Sequence, residues 1–196
     1  MNMDFRIALF VILFVAAGCN KKDDIQSNET VLTVFSEAEA KDLQSIHDYF
    51  SDQICKSTGK DNPADCFEKF IADLMAEAPS SGIAENPVDR TELDDFFRKL
   101  ESGVFDKVWR RNEAYDEEGL NHETISMKPF GEYGRFLELV GKDDPAIREY
   151  HTDLGRAGTL SATMVASVML FPAKYNVSDC RVRLVLAIHY ITFFYR

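Results

Sequence analysis

The sequence predicts an all-α fold: one domain of six or seven helices on a disordered N-terminal tether. Three observations lead there. Beyond residue 31, apolar side chains recur at intervals of three and four, and helix-starting residues precede most of these runs. Aromatic residues are abundant, with 15 Phe, 7 Tyr and 1 Trp, so large side chains can build a core without metal or disulfide staples. No pair of runs with strand-like alternation offers partners for a sheet.

The elements follow in order. Ser36-Glu-Ala-Glu39 is a capping box that opens a helix over 36–55, with Leu43, Ile46, Tyr49, Phe50 and Ile54 on its inner face. Phe35 stands where a hydrophobic staple onto Ala40 or Leu43 would close. Asn62-Pro63 supplies a cap and a first-turn proline for a second helix to about 77, which buries Phe67, Phe70, Ile71 and Leu74. After a loop over 79–87, a third helix from Asp89 or Arg90 to 101 buries Leu93, Phe96, Phe97 and Leu100. Residues 103–111 extend it as a short helix carrying Phe105, Val108 and Trp109, and 112–128 are irregular.

Further helices follow. One over 130–140 ends at Gly141, and one from Asp144-Pro145 runs to about Arg156, with Gly158 past its end. A short apolar one over 161–170 stops before Pro172. Residues 182–195 are almost continuously apolar. Their length favours a buried central helix, capped by Ser178 or Asp179, over a strand.

At the N-terminus, eleven apolar residues (7–17) follow Arg6 and close with Ala16-Ala17-Gly18, directly before Cys19. That run is too short for a bilayer core of ~30 Å and suits a signal-peptide h-region. The arrangement resembles the lipobox of bacterial lipoproteins, although Ala16 stands where that motif favours Leu. The resemblance implies a signal peptide over 1–18 that is cleaved, and a Cys19 thiol that carries palmitate-like diacyl chains. Two or three chains would hold the protein on a membrane almost permanently. Lys21-Lys22-Asp23-Asp24 resembles the surface-export tag of Bacteroidota lipoproteins, which implies an outer-membrane anchor facing the cell surface, with the periplasmic face as the alternative. Residues 19–31 then form the flexible tether and 32–196 the helical domain.

Charge is unevenly spread. From Cys19 to Leu120 there are 24 acidic and 12 basic residues; from Asn121 onward there are 8 and 9. Such an acidic body lacks the basic face that nucleic acid requires. It complements a cationic protein partner, or simply maintains solubility. Cys55 and Cys66 flank a short loop and form a reasonable disulfide in an oxidising compartment. Cys180 reads as a small buried apolar residue, and its pairing with either of the others stays open.

No catalytic residues, cofactor or metal site are expected. The spacing of His47, His122, His151 and His189 makes no ligand pair, and the cysteines fit no zinc pattern. His47, beside Asp48, reads as part of a solvated helix face, and His189 as a core histidine. The acidic segment 112–123 fails the EF-hand spacing at Ala114 and Glu117. Trp109, Tyr115, Tyr133, Tyr150 and Tyr175 would form a binding patch only if exposed together. As a whole the domain resembles small, uncharacterised lipoproteins of Bacteroidota. The leading expectation is a non-catalytic, protein-binding lipoprotein, with an immunity protein that neutralises a toxin at the envelope as its sharper form. The alternative is an envelope hydrolase or glycan-handling enzyme whose site joins His151, His189 and carboxylates.

Overall fold

The computed structural model describes residues 24–81, 86–115, 119 and 121–195. Cys19, the apolar run before it and the export-tag lysines lie outside the described residues. Among the described residues the fold is mainly α: nine helices with one small two-stranded sheet.

The N-terminal expectation needs one correction. The tether placed over 19–31 gives way to packed structure from Asp24 onward. The side-chain oxygen of Gln44 accepts the Ile25 N–H at 2.6 Å, and Ile25 and Val31 are fully buried. Asn28 then caps a single turn, α1 (Glu29–Leu32), by accepting the N–H groups of Thr30 and Val31. Two apolar side chains and one anchoring amide suffice to dock a segment that is otherwise polar.

Helix α2 (Glu37–Thr58) opens on the complete Ser36/Glu39 capping box and ends at Gly59, whose φ of 65° closes the helix. The Asn62 side chain accepts the Ala64 N–H at 2.9 Å and starts α3 (Pro63–Ser81), which runs past Pro79. A disulfide joins Cys55 to Cys66 with Cα atoms 5.0 Å apart. In the chain-entropy view, closing a loop of this size stabilises by about 3 kcal/mol. Phe35 packs edge-on against Phe136, with ring centroids 6.1 Å apart.

Asp89 caps α4 (Arg90–Phe97), which stops a turn short of the expected 101. After α5 (Val104–Val108) the chain extends. Strand β1 (Trp109–Tyr115) pairs antiparallel with β2 (Asn121–Met127), Trp109 opposite Met127 and Tyr115 opposite Asn121. The short helix expected over 103–111 is present but ends at Val108, and the hairpin takes the place of its last turn and of the irregular segment expected over 112–128. Only its inner ends touch the core: Trp109, Ile125 and Met127 are buried while the outer residues face solvent. The strand-like alternation therefore spans too few residues to stand out; Gly119, between the strands, has a φ of 77° that glycine adopts readily.

Helices α6 (Glu132–Asp143) and α7 (Pro145–Ala157) form a tight antiparallel pair, with Asp144 ending the first and capping the second. Gly141 lies inside α6 rather than beyond it, because a Cβ there would stand 2.9 Å from the Arg148 Cα. Helix α8 (Ala162–Leu170) is capped by Ser161 and followed by a 3-10 turn over Pro172–Lys174. Asp179 caps the last helix, α9 (Cys180–Phe194). Residues 182–192 are all buried, so α9 is the axis around which α2, α6 and β2 pack.

The Gly141 contact is with backbone, which cannot move aside. Gly141→Ala is expected to destabilise the fold by about 1–3 kcal/mol, read as a lower urea midpoint at unchanged m-value. Gly155 lies on the facing helix with open space at its Cβ position. Gly155→Ala should instead stabilise by about 0.5–1 kcal/mol.

Candidate functional site

The polar side chains of α9 show what the interior can and cannot do. Arg183 is 1% exposed; its Nε donates to His47 Nε2 at 3.2 Å and its Nη1 to the Val177 carbonyl at 2.7 Å. His47 is therefore buried, at 1% exposure, not on the solvated face expected for it. It sits between Leu43 and Phe50 on the inner stripe of α2, so the helix period that buries those residues buries it too. Its Nδ1 lies 3.0 Å from Asp48. With Nε2 accepting from Arg183, the ring proton belongs on Nδ1 and is donated to that carboxylate.

About one and two-thirds turns further along α9, His189 Nδ1 lies 3.2 Å from the Tyr150 hydroxyl, which also meets Met127 Sδ at 3.6 Å. Burial pushes the Tyr150 hydroxyl well above its ordinary pKa, with Tyr133, Tyr175 and Tyr190 adding to the shift. Thr192 accepts the Trp109 indole N–H at 2.7 Å and donates to the Ile188 carbonyl. At the end of the helix, Tyr195 donates to Asp94 at 2.5 Å and approaches Glu123 at 3.1 Å. Burial first, and these two carboxylates second, push its hydroxyl up to about 12. Together these bonds tie α9 and its C-cap to α2, α4, α7 and the hairpin. They form a structural lattice, not an open reaction site.

His151 stays apart from that lattice. It follows Tyr150 on α7, about 100° around the helix, and is half-buried, on the side where α7 passes Gly134. His189 is fully buried, whereas His151 is half-buried with its Nε2 toward Gly134. His122 lies on the outer half of β2. Among the described residues, no group of three or more His, Cys, Asp or Glu is placed to hold a metal ion. Cys180 is buried at the start of α9. Of the aromatic residues considered for a shared patch, Tyr115 is 68% exposed, whereas Trp109, Tyr133, Tyr150 and Tyr175 are buried.

The surface offers a different feature, one that sequence reasoning missed. Leu170 and Phe171, consecutive at the end of α8, are each 59% exposed. Directly after them, residues 172–178 form one wall of a groove of about 610 Å³, with Glu68, Ile71 and Ala72 of α3 as the other wall. The neighbouring face of α3 is acidic. Lys69 is taken by Asp73 at 2.8 Å and Lys174 by Glu149 at 2.6 Å. Asp61, Asp65 and Glu68 then outnumber Lys60 on the exposed rim. The apolar run 168–171 carried the signal, but nothing local distinguishes its outward residues from the buried Val168.

No family model matches the chain, and no curated protein or solved structure matches it either.

The cap of α9 also fixes a pH response. Burial works to raise the Asp179 carboxyl, but hydrogen bonds from the Arg181 guanidinium and backbone N–H outweigh it and hold the group below the ordinary carboxylate range. A carboxyl depressed in the folded state contributes stability that is complete above its unfolded pKa of ~3.9. That contribution is lost as pH falls through the lower folded value. Asp179→Asn keeps an equally good cap acceptor and removes the charge. It should lower stability near neutrality by about 1.5 kcal/mol and flatten the acid limb below about pH 4. Urea midpoints measured from pH 2 to 7 would check both effects.

Proposed function

We propose that this protein is a lipid-anchored, non-catalytic binding module of the outer membrane, displayed on the cell surface, whose partner is a basic protein. The anchor rests on Cys19 and the apolar run before it. The binding role rests on one observation: an exposed Leu170–Phe171 pair beside an open groove, next to an acidic helix face. Apolar anchors that enter a partner's pocket supply most binding energy, while a rim of one charge sign selects the partner and speeds its approach. The buried histidines are engaged in bonds between helices, which favours binding over catalysis. An immunity protein that holds a cationic toxin at the envelope is the most specific form of this reading.

Two measurements test it. The full chain should fractionate with membranes and carry an acyl mass on Cys19, whereas Cys19→Ser should appear in the soluble fraction. Recovery of both proteins in the same fraction would remove the anchor from the proposal. In capture from envelope extracts, a basic protein retained by the wild type should bind at least tenfold more weakly, ~1.4 kcal/mol, to Phe171→Asp and to Glu68→Lys. Equal retention by all three would show that the groove is not the binding surface.

A further inference from the structure

The hairpin presents an open strand edge, and the residues along it are complementary to themselves. The Lys128 N–H donates to the Val108 carbonyl at 2.8 Å. By the alternation of an antiparallel ladder, the even-numbered residues of β1 turn their backbone groups toward β2. Arg111, Glu113 and Tyr115 therefore turn theirs outward. On the far side, the Glu123 carbonyl of β2 is already taken by the Arg90 guanidinium. At the inner end of β1 the outward N–H of Trp109 is taken by the Phe105 carbonyl. The free stretch is thus Arg111 to Tyr115. Its outward residues, Arg111, Glu113 and Tyr115, are exposed. Among the described residues no main-chain hydrogen bond outside the hairpin reaches them.

Soluble proteins commonly defend such an edge with charge, and a run of one sign would repel a second copy. This edge alternates in sign. In the hairpin, Glu113 lies directly opposite Glu123, an unfavourable like-charge pair, and Arg111 is committed to Glu123. Glu113 has no ion-pair partner among the described residues.

We infer that β1 pairs with β1 of a second copy, antiparallel about a two-fold axis through Asn112, to make a continuous four-stranded sheet. In that register Arg111 of each copy faces Glu113 of the other, on the same side of the sheet. Their outward N–H and C=O groups form four main-chain hydrogen bonds. The two neighbouring registers that also match outward groups put Arg111 against Arg111 or Glu113 against Glu113, so charge alone selects the middle one. The contact is isologous, closes at two copies and leaves no further β1 edge exposed. It is independent of the groove beside α3 and does not rest on the binding role proposed above.

The register makes Asn112 the test position. It faces its own copy in a non-hydrogen-bonded pair, where Cα atoms lie ~4.5 Å apart, within disulfide reach. The full chain carrying Asn112→Cys, expressed in its native membrane and run on a non-reducing gel, should form a covalent dimer absent from the wild type. Ala114→Cys, two residues along on the same edge, should not. No dimer at position 112, or equal yields at 112 and 114, overturns the register and with it the proposal. Sedimentation of the full chain in dodecyl maltoside provides a second measurement without cysteines. Glu113→Lys should weaken self-association at least tenfold, and Arg111→Glu combined with Glu113→Arg should restore it. A monomeric wild type, or an undiminished dimer in Glu113→Lys, also overturns it.

Discussion

Helix α9 has no side on which water is tolerated, and the arrangement of the other elements follows from the need to cover it. A helix that is apolar around its whole circumference gains nothing from a particular rotation. Its few polar groups make the choice. Removing a guanidinium from water costs several kcal/mol unless good acceptors receive it. Arg183 therefore holds α9 at the one rotation and depth where His47 and the Val177 carbonyl meet it. Once that pair is set, Tyr150 finds His189, Trp109 finds Thr192, and Tyr195 reaches α4 and β2. The bonds are few and dispersed, so together they fix the positions of several neighbours.

This division of labour explains which parts of the fold could be read from sequence. Caps are local chemistry. Ser36, Asn62, Asp89, Asp144, Ser161 and Asp179 announce their helices because a side-chain oxygen satisfies an N–H two or three residues away. Burial caused by remote partners is not local. The hairpin is hard to read because its strands have a dry face only where they meet α9, and six of its outer residues (Arg111, Asn112, Glu113, Asn121, His122 and Glu123) are charged or strongly polar. Asp48 makes His47 read as solvated, although its spacing from Leu43 and Phe50 places it inward. Gly141 reads as a terminator by composition, whereas its work is to let α7 approach.

The surface shows the same limit in a sharper form. The excess of acid in the N-terminal half is plain in the composition, yet its concentration on one face of α3 depends on which cations are already paired. Lys69 and Lys174 count toward the total charge but are held by Asp73 and Glu149. What a partner meets is the remainder. Likewise Leu170 and Phe171 differ from their buried neighbours only through where α8 ends.

The tryptophan carries a practical consequence of its own. Trp109 is the sole tryptophan of the chain; it is fully buried, bonded through its indole N–H to Thr192, with the rings of Phe97 and Phe105 against it. It is thus an intrinsic optical gauge located at the seam between hairpin and central helix. Its emission colour reports whether that seam is shut. Any loosening of the hairpin that leaves the helices intact would register there as a red shift, while circular dichroism stayed nearly silent.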